Sequence, residues 1–331
     1  MVDPVDAVLA VNYRCNARCT MCHIWEAQTS QQLPPWMFAA LPSTLRTINV
    51  SGGEPYLRED LPDVVRAIRT GCPGAQITIS TNGILTERVE SMTRNILRFD
   101  PGIALGVSID GIGEKHDEVR GVRGAFGRAV DTLKRLKALG IDDLRIAFTA
   151  SAANLTHFFE VYQLARRLDV QFTCAVAHNS SHYFRTEGNS GLDRKVLRSQ
   201  IEKVAACELK TLSPKRWARA YFASGLCAYM AGRRPLPCEA GGAFFFLSPN
   251  GDVYPCNVLE VTMGNLYETP SFGSLWSSQR AEAARKAVAR CEAGCWMICT
   301  ARTAMRKALP RVALWTAGKK IRAHIGCSVV D

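Results

Sequence analysis

The chain has 331 residues, 47% of them hydrophobic, with 25 glycines and 15 prolines: enough apolar surface for one large domain beside a smaller one, and no fibrous or disordered composition. No stretch of about 18 apolar residues occurs and residues 1–6 carry no basic segment, so neither a membrane-spanning helix nor a signal peptide is expected and the reading is cytoplasmic. The net charge of +11 is lopsided, with eleven Lys or Arg against three Asp or Glu from Arg280 to Asp331. Such a tail suits an anionic partner, either a phosphorylated or lipid-linked small molecule or peripheral contact with the inner membrane face, or it is simply solvated. Only Trp296 and Trp315 offer stacking surfaces there, so no nucleic acid partner is expected.

In chain order, apolar runs at 7–11, 47–50, 76–79, 103–107, 144–148 and 170–176 read as buried strands. Between them, 61–68, 89–97, 129–139 and 158–168 place apolar residues at helical spacing. Strands alternating with helices imply βαβ units and a parallel sheet; six are too few for a closed eight-stranded barrel and suit a partial (β/α)6 TIM-like one. Polar or glycine-rich segments follow each strand at 12–22, 51–55, 81–83, 108–111, 149–154 and 178–183, where such a barrel collects its chemistry. After Tyr183 come a charged helical stretch (192–209) and an aromatic one (217–230). The Arg233-Arg234-Pro235-Leu236-Pro237 segment marks a boundary, giving a barrel over 1–235 and a cysteine-bearing unit over 236–331.

Thirteen cysteines without a secretory signal point to metal or redox ligands rather than disulfides. Cys72, Cys174, Cys207, Cys227 and Cys327 are scattered and read as small buried hydrophobes. Cys15, Cys19 and Cys22 fall within eight residues just after the first strand. Iron–sulfur clusters normally take four cysteines, so three leave one iron open to a reactant; zinc is the competing occupant.

Cys-x3-Cys-x2-Cys after a first strand resembles the radical SAM superfamily, and further motifs follow in register: Gly52-Gly53-Glu54-Pro55, Thr81-Asn82-Gly83, Ser108-Ile109-Asp110-Gly111, then His116 and Arg120. Met21 departs from the pattern, standing where many members carry an aromatic residue. The resemblance implies that Cys15, Cys19 and Cys22 hold a [4Fe-4S] cluster. It also implies that Gly52, Gly53, Glu54, Pro55, Asn82, Ser108, Asp110 and Arg120 contact S-adenosylmethionine. Reductive cleavage of that cofactor, fed by an electron donor such as flavodoxin or ferredoxin, would give a 5′-deoxyadenosyl radical that abstracts hydrogen from a substrate.

In the second unit, Cys238 is followed by twelve residues, Gly251, four more and Cys256; Cys291, Cys295 and Cys299 come later at spacing four. The segment 246–256 reads as a hairpin turning at Pro249-Asn250-Gly251, able to bring Cys238 and Cys256 together. This resembles the SPASM/twitch extension of radical SAM enzymes, although a full two-cluster SPASM set is lacking. Four ligands from these five thiols would hold one auxiliary [4Fe-4S] cluster, with zinc again the competitor. The fifth, one of Cys291, Cys295 or Cys299, is either inert or a hydrogen donor of the kind an epimerase needs.

The substrate is less marked. His178, Asn179, Ser180, His182, Tyr183 and Arg185, beyond the sixth strand, are the candidate contacts. Peptide-modifying members often carry an N-terminal leader-binding domain, and here the first strand begins by Ala7. The expectation is therefore oxidation or epimerisation of a small polar, sugar-like or phosphorylated substrate, with peptide or protein modification as runner-up. A non-catalytic cysteine-rich metal-binding module does not account for the glycine and Ser-Ile-Asp-Gly motifs. The basic tail (Arg306, Lys307, Arg311, Lys319, Lys320, Arg322) is read as short amphipathic helices with a cationic face, broken at Pro310 and Gly318 and dispensable for cofactor cleavage.

Overall fold

The computed structural model describes residues 3–27, 32–269 and 271–330. Strands and helices alternate as β1 (Asp6–Ala10), β2 (Thr47–Ser51), α1 (Leu61–Gly71), β3 (Gln76–Thr81), α2 (Thr86–Leu97), β4 (Ala104–Ser108), α3 (Glu114–Arg120), α4 (Ala125–Ala138), β5 (Leu144–Ala150), α5 (Phe158–Arg167) and β6 (Gln171–Val176). Two long helices follow, α6 (Arg194–Leu209) and α7 (Pro214–Met230), then β7 (Phe244–Leu247), β8 (Asp252–Tyr254) and β9 (Gly264–Asn265). The chain ends in α8 (Phe272–Trp276), α9 (Gln279–Ala289), α10 (Ile298–Lys307) and α11 (Leu309–His324).

All the strands form one sheet in the order β6-β5-β4-β3-β2-β1-β7-β8-β9, parallel from β6 through β7. The partial barrel of six βα units is as expected from the sequence. Alternate residues along its strands divide sharply. Ala7, Leu9, Ile48, Val50, Ile77, Ile79, Leu105, Val107, Ile146 and Phe148 are buried in one core with the helices. Each large apolar side chain there contributes roughly 1.5–3 kcal/mol by leaving water. Their neighbours Thr47, Asn49, Thr78, Ser80, Ser108, Arg145 and Thr149 line the inside of the barrel. The strand runs read as buried thus enclose a bore of mixed lining, in which these polar side chains alternate with apolar ones such as Val8, Ala147 and Ala175.

The hairpin forms as expected, with Phe246 opposite Tyr254 and Leu247 opposite Val253, and Gly251 in its turn at φ +88°. β7 also pairs in parallel with β1, so the second unit continues the barrel's own sheet across the boundary placed at 235. The alternation of β7 serves both sides: Phe245 packs on Phe272 and Trp276, while Phe246 faces Tyr183 and His182.

The C-terminal expectation needs correction. Pro310 lies in the first turn of α11, where its missing N–H has no partner to lose, and Gly318 sits inside a helix of 16 residues instead of breaking it. Glycine there costs about 1 kcal/mol, which burial of Val312, Thr316 and Ala323 offsets as α11 packs against α6 and α7. The cationic face stays mostly exposed, at Arg306, Lys307, Arg311 and Arg322, but several of its charges are engaged by the protein itself. Lys307 pairs with Glu239, Lys320 donates to the Leu209 and Thr211 carbonyls, Arg322 donates to the Ser328 carbonyl, and Lys319 is buried. Among the described residues no helix is long and apolar enough to cross a membrane.

Candidate active site

Residues 11–23, after β1, form an irregular loop carrying Cys15, Cys19 and Cys22. Backbone bonds from three directions hold it. Gly53 N–H and Glu54 N–H donate to the Asn12 and Arg14 carbonyls (2.9 and 2.8 Å). Arg18 and Thr20 N–H donate to the Arg120 and Val119 carbonyls (2.8 and 2.9 Å), and His23 N–H donates to Phe184 (2.8 Å). Contact this close demands glycine. A Cβ on Gly52 would lie 2.1 Å from the Asn12 carbonyl oxygen, and one on Gly53 2.2 Å from that of Arg14.

The three cysteines stand at the upper end of a cavity of about 350 Å³ that runs down the bore and also takes in Gly52, Gly53, Asn82, Ser108 and Arg120. Burial pushes the thiols up, Cys15 to about 11 and Cys22 to about 12. A buried thiolate therefore needs positive charge beside it. Arg120 supplies some: its Nη1 donates to Cys19 Sγ (3.6 Å), and its other Nη is ion-paired with the fully buried Asp110. Asp110 is fixed in turn by Thr149 N–H (2.7 Å). Asn82 Nδ2 donates to Asn16 (2.7 Å) and reaches Cys15 Sγ at 4.0 Å.

The second group also converges. Cys238, Cys256, Cys291, Cys295 and Cys299 line one pocket, closed by Arg234, Val288 and Met297. Burial pushes the Cys256 thiol up to about 11, only partly opposed by the Val258 and Leu259 N–H groups that donate to its Sγ (3.4 and 3.2 Å). Among the described residues no three His, Cys, Asp or Glu stand close enough for a single metal ion. A ring of soft thiols around a pocket is a donor set that a multi-iron cluster fits. Cys299 lines both this pocket and the bore.

Residues 9–152 match the family model described as the radical SAM superfamily, and 238–300 match that of an iron–sulfur cluster-binding domain. An AdoMet-dependent heme synthase of Methanosarcina barkeri is 30% identical over 263 residues, covering 72% of this chain and 69% of the relative. This chain belongs to the radical SAM superfamily. As a radical SAM enzyme it binds a [4Fe-4S] cluster and S-adenosylmethionine, and its C-terminal match carries auxiliary iron–sulfur binding. The antilisterial bacteriocin subtilosin biosynthesis protein AlbA of Bacillus subtilis is 23% identical, over 83% of this chain and 62% of its own. Streptococcus suis SuiB bound to S-adenosylmethionine shares the fold, with a TM-score of 0.66 at 18% identity, over 86% of this chain and 68% of that one.

Within this radical SAM barrel, several residues expected at the site stand elsewhere. Glu54 and Pro55 do not line the cavity. Glu54 is buried behind the loop, and its carboxylate accepts from Asn82 N–H (2.7 Å), Tyr56 N–H (3.1 Å) and Thr81 hydroxyl (2.9 Å). It ties the end of β3 to the cysteine loop. Asp110 acts through Arg120 rather than on the cavity wall. Of the six candidate substrate residues, His178 and Tyr183 line the cavity. Asn179 and Arg185 are exposed, Ser180 closes its own loop against Thr186, and His182 stacks on Tyr254 beside the Cys256 carbonyl. Missed from sequence were the bore residues Thr47, Asn49, Thr78, Ser80 and Arg145, and the Asp6–Arg302 pair (3.3 Å). Their signal was a period-two polar alternation inside runs read as wholly apolar.

Proposed function

We propose that this chain is a radical SAM oxidoreductase or epimerase acting on a small, hydroxyl-rich substrate held in the bore. S-adenosylmethionine bound with its reduced cluster supplies the power to take hydrogen from an unactivated C–H bond. Cys15, Cys19 and Cys22 hold that cluster, and Gly52, Gly53, Asn82, Ser108 and Arg120 surround the cofactor. Cys238 and Cys256, with two of Cys291, Cys295 and Cys299, hold one auxiliary cluster. The observation that carries the substrate class is the bore itself, walled by Thr47, Asn49, Ser51, Thr78, Ser80 and Thr173, short hydrogen-bonding side chains at fixed spacing. His178 adds an acceptor at Nε2: its Nδ1–H donates to the Val176 carbonyl (2.6 Å), and burial lowers its basicity to about 4, keeping the ring neutral. Cys299, on the walls of both the pocket and the bore, is the thiol placed to deliver a hydrogen.

Anaerobically reconstituted protein with dithionite should release 5′-deoxyadenosine, and Cys15, Cys19 and Cys22 replaced together by Ala should abolish release. Iron should fall from roughly eight to roughly four per chain in that variant. Undiminished cleavage would sink the assignment, and zinc in the remaining site would replace the auxiliary cluster. A Cys299→Ala protein that keeps its full iron identifies Cys299 as the free thiol; loss of roughly four irons makes it a ligand. A second reading, peptide modification, is favoured by the extended similarity to a bacteriocin-biosynthesis protein. Mass spectrometry of products from aminocyclitol, sugar and peptide panels separates the two.

A further inference from the structure

A second cavity, of about 540 Å³, lies at the N-terminal end of the strands. Its wall shares Thr47, Thr78, Arg145, Thr173 and Arg302 with the bore above, so the two adjoin inside the barrel. The lower wall is cationic, with Arg46, Arg145, Lys215, Arg219, Arg302 and Arg306 against Asp143 and Glu208. The carboxylates are already committed. Asp143 pairs with Arg145 and Lys215 (2.7 and 2.9 Å), Glu208 with Arg216, and Asp6 with Arg302. That leaves Arg46, Arg219 and Arg306 with no carboxylate at ion-pair distance among the described residues.

Two further observations mark the cluster as uncompensated. Arg145 Nε–H is buried without a partner among the described residues. Burial, with Arg145 beside it, lowers Arg219 to about 10. The cations come from four separate places, the start of β2, β5, α7 and α10, so the concentration is not a by-product of one basic segment. Like charges gathered in a partly buried cavity raise its potential and favour an anion there.

We propose that the lower cavity is an oxyanion subsite, which anchors a phosphate or carboxylate substituent while the rest of the substrate extends up the bore toward Cys15, Cys19 and Cys22. This rests on the bore being the substrate site. From Thr47 to Ser51 the strand rises roughly 13 Å, which sets the length of substrate the two cavities together accommodate. Arg guanidiniums suit either anion through paired N–H donors.

Calorimetric titration of the reconstituted protein with inorganic pyrophosphate, and separately with succinate, tests the subsite without turnover. At low salt at least one probe should bind, and whichever binds tighter identifies the anion as phosphoryl or carboxylate. Arg219→Gln combined with Arg306→Gln should weaken binding at least tenfold, Arg219→Lys should restore part of it, and Arg311→Gln, on the exposed face of α11, should change nothing. Thermal melts confirm that each variant is folded; if the double variant is not, Arg306→Gln and Arg46→Gln singly take its place. No binding of either probe, equal binding by the double variant, or equal weakening by Arg311→Gln overturns the subsite. Hydrogen abstraction is read separately by 5′-deoxyadenosine release, so failure of one reading leaves the other distinguishable.

Discussion

At Gly52 the backbone has φ +132°, a region closed to side chains, and the missing Cβ is the room in which the Asn12 carbonyl sits. Gly52→Ala should therefore cost at least about 2 kcal/mol and displace the cysteine loop more than the sheet. The expected protein keeps its far-UV circular dichroism and auxiliary iron, but loses the first cluster, falling to roughly four irons. Full iron in that variant would show that the loop tolerates displacement. The glycines were legible in the sequence as part of a motif, and their expected partner was the cofactor. The structure adds a second reason for them, because a close approach between two backbones leaves no mark on local periodicity. The side-chain role of Glu54 was not legible for the same cause: its three donors come from the next turn and from the following strand.

The βα elements were legible because each helix shows its apolar face to one sheet and each strand ends in a polar turn; the observed bounds differ by a few residues. The C-terminal helices were legible in part: the break expected at Pro310 falls at Ala308, but Gly318 breaks nothing, because it was weighed by local propensity while packing on α6 and α7 decided the outcome. That alters what truncation does. Removing everything after Cys299 takes away Arg302 and leaves Asp6, 1% exposed and already pushed up to about 7 by burial, without its cation, so that it can stay buried only as the neutral acid. Truncation also strips Ala301, Ala304 and Met305 from the core. The truncated chain should be insoluble or melt far below the parent instead of keeping cofactor cleavage intact. A gentler probe is Lys320→Ala. Lys320 donates to the Leu209 and Thr211 carbonyls (3.0 and 2.6 Å) at the end of α6 and lies 4.3 Å from the Trp217 ring. Its loss should cost about 1–2 kcal/mol, a fall of a few degrees in a thermal melt. An unchanged melting temperature would mean that this end of the tail is merely solvated.

Across the whole molecule, both groups of cysteines, apart from Cys299 in the first turn of α10, hang from segments without regular structure on a sheet that has its own core. Residues 11–23 leave β1, and 290–297 join α9 to α10; β1 and β7, side by side, serve the two sites at once. The segment 290–297 has one fully buried apolar side chain, Trp296, whose Nε1–H donates to the Phe222 carbonyl (2.9 Å) and whose ring stacks on Phe222, with Met297 half-buried beside the cysteine pocket. The rest of that segment depends on Cys291 and Cys295 finding a cluster, so iron binding and local order are linked there. The sheet has no such dependence, since its strands are tied to each other by backbone hydrogen bonds and to the helices by burial. Iron removal under reducing conditions should therefore leave the far-UV spectrum almost unchanged while opening 290–297, and should loosen 11–23 less, because backbone hydrogen bonds hold it. Trypsin is the convenient reporter, because Arg14, Arg18 and Arg290 lie within or at the edge of them. The holoprotein should resist cleavage at these three sites, and the iron-free protein should be cut first at Arg290 and more slowly at Arg14 and Arg18, with the barrel between them intact. Identical digestion of the two forms would mean that both cysteine segments are ordered by the polypeptide alone, and wholesale digestion on iron loss would mean that the sheet itself depends on the clusters.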